Sequence, residues 1–365
     1  MTMKIALLGA GHIGQTIARL LDDSGDYQVT VFDRSDAALA KVALHAAIAT
    51  QVLETEEHPA LQAALRGHDA VLNALPYQLA ITTATLAKEA GCHYFDLTED
   101  VAATRAIQGL AQGASTAFMP QCGLAPGFIG IVAHHLAGSF DVLHDVKMRV
   151  GALPAFPTNA LKYNLTWSVD GLINEYCHPC EAIHDGRRVD LLPLEGLEHF
   201  SLDGTEYEAF NTSGGLGTLC DTLAGRVRTL DYKSVRYPGH QTAMTLLLED
   251  LRMKDDTDTL KAILRRSVPA TMQDVVLVFV TVSGLRDGQL VQEVFARKIF
   301  ADRAAPLSAI QITTAAGICA ALDLFCEGKL PQNGFVRQEQ VALPDFLANR
   351  FGSAYQQSRQ VESIG

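Results

Sequence analysis

Through the first third of the chain, short apolar runs without polar alternation are separated by stretches of helical period, and few folds accommodate that arrangement. Lys4–Leu8, Gln28–Phe32, Ala49–Leu53, Ala70–Ala74, His93–Leu97 and Thr116–Met119 read as strands. His12–Leu21, Leu39–Ala47, Pro59–Leu65, Gln78–Ala90 and Val101–Gly113 read as the helices between them. Strands that are apolar on both sides need cover on both faces, which parallel strands with crossover helices provide. The expected fold class is therefore α/β, with a doubly wound parallel sheet.

After Cys122 the pattern changes. Pro126–Gly138 is helical, and longer alternating strands follow at Val142–Val150, Ala182–Asp185, Val189–Pro193, Glu206–Phe210, Thr229–Arg236, Gln273–Ser283 and Leu290–Phe300. Asp185-Gly186, Asp203-Gly204 and Asp287-Gly288 are hairpin signals, because both central residues of a type I′ turn need positive φ. This predicts a second α+β domain with a mixed or antiparallel sheet, suited to substrate binding or dimerisation. A helix over Leu307–Phe325 and a Pro/Gln/Asn-containing tail close the chain. A length of 365 residues suits two such domains.

The net charge of −12 excludes the basic footprint of a nucleic-acid binder. The densest apolar run, Val275–Val282, is far shorter than the ~20 residues of a membrane span, so no membrane partner is expected. No secretory leader is read at the N-terminus, and seven scattered cysteines read as free thiols of a reducing compartment, so a cytoplasmic protein is expected.

The sharpest local signal is Gly9-Ala10-Gly11-His12-Ile13-Gly14, a G-x-G-x-x-G after a strand and at the opening of a helix. In this Rossmann context Gly9 makes the tight turn, Gly11 admits the pyrophosphate, and Gly14 packs helix on strand. Asp33 ends the second strand, where a carboxylate accepts ribose hydroxyls and repels a 2′-phosphate. It favours NAD, while the adjacent Arg34 keeps NADP open. Asn73 and Pro76, after the fourth strand, are expected beside the nicotinamide ribose. Asp96, Glu99 and Asp100 end the fifth strand, either as base or cation ligands or as helix caps.

Other signals carry less. Cys177-His178-Pro179-Cys180 lacks both a redox helix context and a second C-x-x-C for zinc, and His134-His135 points to two faces. Ser213–Gly217 is glycine-rich but has no P-loop lysine, and no metal site is expected.

Beyond residue 120, several motifs resemble the saccharopine dehydrogenase superfamily, closest to the bacterial and archaeal branch that includes L-lysine 6-dehydrogenase. They are Cys122-Gly123-Leu124-Ala125-Pro126-Gly127, Thr158 through Ser168, Gly171 through Tyr176, Val235-Arg236-Tyr237-Pro238-Gly239-His240, and Ile312 through Gly317. The resemblance implies a dinucleotide-binding domain at residues 1–122 completed by 307–365, around a substrate and dimerisation domain at 123–306, in a homodimer. It implies NAD-dependent oxidation of an amino acid at a C–N bond, followed by hydrolysis of the imine. It makes Arg236 the clamp on the substrate carboxylate, with Trp167, Tyr163 and His240 lining the substrate site, and Asp96 and Glu99 are the candidates to bind the substrate amine or take its proton. Fungal-type saccharopine reductases carry Asp where this chain has Ala125, which favours the lysine branch. Saccharopine or another opine-type substrate is the alternative within enzymes. A dinucleotide-binding regulatory protein without turnover is the alternative outside them.

Overall fold

The computed structural model describes residues 2–44, 48–54, 58–165, 167–302 and 307–356. Residues 45–47 of the expected second helix, Thr166, and 357–365 of the tail lie outside them. The chain divides into two compact units, one of Met1–Ile131 with Gln311–Ala354, the other of Val132–Ile310 with the residues from Tyr355 on.

The first unit is built on β1 (Met3–Leu8), β2 (Tyr27–Asp33), β3 (Ala49–Val52), β4 (Ala70–Asn73), β5 (His93–Asp96) and β6 (Ala117–Met119). The sheet runs β3-β2-β1-β4-β5-β6, every pair parallel, so the expected doubly wound α/β fold is present. The order reverses between β1 and β4, and in such sheets ligands bind outside the carboxyl ends of the strands at that point. One core packs Leu8, Phe32, Val71, Tyr94 and Phe118 of the strands against Leu61, Ala84 and Ile107 of the helices. The tail adds structure that its composition concealed. Gly334–Phe335 pairs in parallel with β6 as a seventh strand, and Leu343–Ala348 is helical.

The helix Ala309–Cys326 corrects one expectation. It has 18 residues with a mean hydropathy of 1.6, long and apolar enough to cross a bilayer, where the sequence reading found no such segment. Its side chains lie mostly inside the protein, with Ala315, Ile318, Cys319 and Leu322 fully enclosed, and a helix apolar all round is what a core demands. Gly317 is required there. A Cβ at that position would sit 2.6 Å from the Cys122 carbonyl oxygen.

The second unit holds an eight-stranded sheet. Its strands are β7 (Val142–Pro154), β8 (Cys180–His184), β9 (Arg187–Leu191), β10 (Glu198–Leu202), β11 (Thr205–Asn211), β12 (Val227–Arg236), β13 (Asp274–Arg286) and β14 (Gln289–Phe300). The order is β10-β11-β12-β7-β13-β14, with β8 joined to β12 and β9. The sheet is mixed, because β12 and β7 are parallel while the other pairs are antiparallel. The three Asp-Gly signals all close hairpins, with φ of 47° and 75° at Asp185-Gly186, 51° and 73° at Asp203-Gly204, and 51° and 73° at Asp287-Gly288. One sheet face packs Phe210 against the helices Val169–Cys177 and Thr257–Ser267 through Leu172, Tyr176, Leu260 and Leu264.

Candidate active site

At the switch point of the parallel sheet, the glycine loop has the form the sequence predicts. Gly9 has φ of 99°, and a Cβ there would meet the Ala74 carbonyl oxygen at 2.8 Å. A Cβ on Gly14 would fall 1.9 Å from the Gly9 carbonyl oxygen, so only glycine lets the helix seat on the strand. Gly11 has open space around it, and it caps the helix His12–Ser24 without any side-chain hydrogen bond. The helices after Ser35, Asp100, Ser168 and Asp256 are closed by those side chains instead. The uncapped amides behind an open glycine are what a pyrophosphate needs. The exposed His12 and the partly exposed Ile13 form the first turn. These residues fit a dinucleotide.

Asp33 lies at the end of β2, and its carboxylate is already engaged. Oδ2 accepts from the Ala10 N–H at 2.7 Å and Oδ1 from the Ser35 N–H at 2.8 Å. It therefore shapes the glycine loop as well as terminating the strand. Arg34 beside it is exposed, as is Pro76, which precedes the 3-10 turn Tyr77–Leu79.

The ends of β4 and β5 are tied by a buried network. Asn73 donates to the Tyr94 hydroxyl at 3.0 Å and accepts from the Leu75 N–H at 3.1 Å. The Tyr94 hydroxyl lies 2.8 Å from Asp96 Oδ2. Asp96 Oδ1 accepts from the Thr98 N–H at 3.0 Å and the Gln121 N–H at 2.9 Å. Asp96 is 1% exposed, and burial lifts its carboxyl to about 6 against the pull of those hydrogen bonds. Asp100 is the helix cap, accepting from the Ala103 N–H at 2.7 Å. Glu99 keeps some exposure. Desolvation lifts its carboxyl to about 7, with smaller pushes from Asp100 and Asp96.

In the second unit the sequence-predicted substrate residues come together around Arg236, at the end of β12. Its Nε donates to the Tyr176 hydroxyl at 2.9 Å and its Nη1 to the Val235 carbonyl at 2.8 Å. The guanidinium lies 5.2 Å from the Tyr163 ring centroid and 5.8 Å from that of Tyr176. Trp167 donates to the Tyr163 hydroxyl at 3.1 Å. His240 is fully buried, with Nδ1 2.9 Å from the Leu161 carbonyl and Nε2 3.1 Å from the Tyr176 hydroxyl. Burial, then the charge of Arg236, hold its imidazole down at about 3.

Arg236 is 3% exposed, and among the described residues no carboxylate comes within 4.0 Å of it. Glu208 faces it across the β11–β12 pair but accepts from the Gly239 N–H at 2.7 Å and the Gln241 N–H at 2.6 Å. The buried Glu175 acts on Arg236 through its charge without a direct ion pair, and a cation buried with no directly paired carboxylate is costly, a cost that a bound carboxylate lowers. Tyr176 was missed in the sequence, where it stood at the end of a motif. The signal was there, in a Ser168-capped helix that carries it inward.

Neither set-aside cysteine is activated. Cys177 ends a helix, Cys180 opens β8, both thiols are free, and burial raises both. A cavity of about 540 Å³ opens at the amino-terminal edge of the parallel sheet, lined by Asp26, Tyr27, Asp323, Lys329, Asp345 and Arg350 among others. Its two cations, Lys329 and Arg350, are paired with its carboxylates.

Residues 5–118 match the family model of the saccharopine dehydrogenase NADP-binding domain, and residues 123–352 that of the saccharopine dehydrogenase C-terminal domain. The chain belongs to the saccharopine dehydrogenase family. A member from Pyricularia oryzae, saccharopine dehydrogenase [NADP(+), L-glutamate-forming], is 26% identical over 195 residues, covering 51% of this chain and 43% of that protein. The matched stretch thus spans less than half the length of that curated relative. The structure of apo saccharopine dehydrogenase (L-Glu forming) from Saccharomyces cerevisiae superposes with a TM-score of 0.76 at 17% identity, over 97% of this chain and 96% of that one. It shares the fold. The family model's cofactor is NADP, a nicotinamide dinucleotide, and the glycine loop lies within the residues matched.

Proposed function

We propose that this saccharopine dehydrogenase family member oxidises an amino acid at a C–N bond with NAD, in the manner of L-lysine 6-dehydrogenase. The observation that carries this is the buried Arg236, which among the described residues makes no direct ion pair although the buried Glu175 acts on it through its charge, and whose free edge suits a substrate carboxylate. When bound, the dinucleotide supplies the hydride acceptor. Gly9, Gly11, Gly14 and the first-turn amides at His12 and Ile13 would hold its pyrophosphate, with Asn73 at the end of β4 and Pro76 beyond it. Asp33 supports NAD over NADP, since an engaged carboxylate repels a 2′-phosphate.

Arg236 orients the carboxylate, and Trp167 with Tyr163 forms an aromatic wall. We assign the proton acceptor to Glu99. Asp96 already receives three hydrogen bonds and is sealed from solvent, whereas Glu99 is partly exposed and titrates near 7. At mildly alkaline pH Glu99 is ionised and takes the ammonium proton, leaving the neutral amine that oxidation requires. Water then cleaves the resulting C=N bond.

The test is NADH formation on a panel of amino acids and opines at mildly alkaline pH. Lysine turnover with ammonia release supports the proposal. Saccharopine turnover with glutamate release establishes the second reading, which the likeness to the Pyricularia enzyme favours. Tight NADH binding with no turnover of any substrate overturns both.

A further inference from the structure

We infer that Tyr176 and His240 form a positioning relay that locks the Arg236 guanidinium and leaves only its terminal Nη1/Nη2 edge for a ligand. This rests on the reading of Arg236 as the carboxylate site.

The direction of every hydrogen bond in the chain is fixed by one fact. A guanidinium has five N–H donors and no acceptor. The Tyr176 oxygen must therefore accept from Arg236 Nε, at 2.9 Å. The hydroxyl has one proton, and the partner at 3.1 Å is His240 Nε2, which must be unprotonated to receive it. The imidazole proton then sits on Nδ1, facing the Leu161 carbonyl at 2.9 Å, which can only accept. An imidazolium donating to both Tyr176 and Leu161 would also make the three contacts, but it would bury a second cation beside Arg236, so the arrangement with a neutral His240 is the one that holds. Phe210 stacks on the imidazole with ring planes 10° apart, and Tyr163 packs 5.2 Å from it, so the ring has no room to turn.

The relay decides the docking geometry. A carboxylate can grip a guanidinium side-on, through Nε and Nη2, or end-on, through Nη1 and Nη2. Tyr176 occupies Nε, which removes the side-on mode. Val235 takes one Nη1 proton, which leaves the terminal fork. His240 is 0% exposed and touches protein on both nitrogens, so it is a positioning residue and not a substrate contact.

Two experiments test this, with L-lysine and L-saccharopine as probes. In ¹⁵N NMR of the full chain with labelled His and Arg, His240 is expected as the neutral Nδ1–H tautomer down to pH 5. The Arg236 Nε–H is expected to be slow to exchange in wild type and fast in Tyr176→Phe. An Nε2–H tautomer, or an unprotected Nε–H in wild type, overturns the relay without any reference to turnover. In kinetics, Tyr176→Phe and His240→Leu are each expected to raise KM for the turned-over probe about 10-fold or more, with the NADH dissociation constant unchanged. His240→Gln, whose amide oxygen can still accept from Tyr176, recovers most of the loss. Equal KM for His240→Leu and wild type sinks the relay. Unchanged KM in Arg236→Gln sinks instead the carboxylate site beneath it, as does failure of both probes to bind while the NMR signature holds.

Discussion

The mixed sheet buries two arginines to the same degree, and they keep different company. Arg149 on β7 and Arg236 on β12 are both 3% exposed. Arg149 is clasped by Glu198 and Asp231, and Lys233 joins Glu198 at 3.0 Å. Among the described residues Arg236 hydrogen-bonds to a phenol and its neighbouring backbone, with an imidazole beyond, and the charge of Glu175 reaches it without a direct ion pair. Arg149 is in register with Lys233, at odd spacing from Arg236, so the two side chains leave opposite faces of the sheet. Equal burial with unequal pairing separates a cation that closes a structure from the one we propose as the ligand clamp. The same contrast recurs at the end of β5, where Asp96 is saturated by hydrogen bonds and Glu99 is not.

The largest expected effect tests that second contrast. Glu99→Gln should cut kcat by about 10²- to 10⁴-fold and remove the rise in rate through pH 7, with NADH affinity intact. A retained acid limb would assign the proton to another group. Next, Arg236→Gln should raise KM for the amino acid on the order of 10²-fold while urea denaturation moves little. Arg149→Gln should do the reverse, costing about 3 kcal/mol of stability by stranding Asp231 and leaving Glu198 with Lys233 alone, with KM near wild type. If the two variants behave alike, pairing does not distinguish the arginines.

Smaller effects sharpen the picture. Asp96→Asn should keep turnover and flatten the stability–pH curve. Because burial raises the Asp96 carboxyl to about 6, its neutral form adds stability that is complete below pH 4 and lost as pH rises through 6. Thermal melts between pH 4 and 7 should lose about 2 kcal/mol of that slope, while Asp274, also held near 6, retains its share. Last, Asp33→Ser should move the NAD/NADP preference toward NADP by about 10-fold. It should also weaken both cofactors slightly, because the Ala10 N–H loses its acceptor. An unchanged ratio would confine Asp33 to shaping the loop.

What the sequence revealed follows the range of the forces involved. The glycine loop and the Asp-Gly hairpins were legible because backbone conformation there is dictated by the residues themselves, as at Gly9 and Asp185-Gly186. The parallel sheet was legible because unalternated apolar strands need cover on both sides. The parallel pairing of β7 with β12 was not, since nothing in either segment encodes a partner about 80 residues away. Glu198–Leu202 was overlooked because its polar Glu198-His199 start masks a strand held by the Asp203-Gly204 turn. Arg236 emerged only through family likeness. Tyr176, 60 residues earlier in the chain, acquires its role solely from the fold. The Asp96 network was half visible. The carboxylates were evident, but which one the backbone amides would claim depended on Gln121 arriving from beyond β6.

The first unit draws Gln311–Ala354 from near the end of the chain, with Gly334–Phe335 as a strand of its sheet and Gly317 seated against Cys122. A ribosome making this protein therefore exposes six strands of an unfinished sheet while it synthesises the whole second unit. A stop codon shortly after Ile310 would leave an edge at β6 open to other chains, so the product should aggregate before it could bind a cofactor.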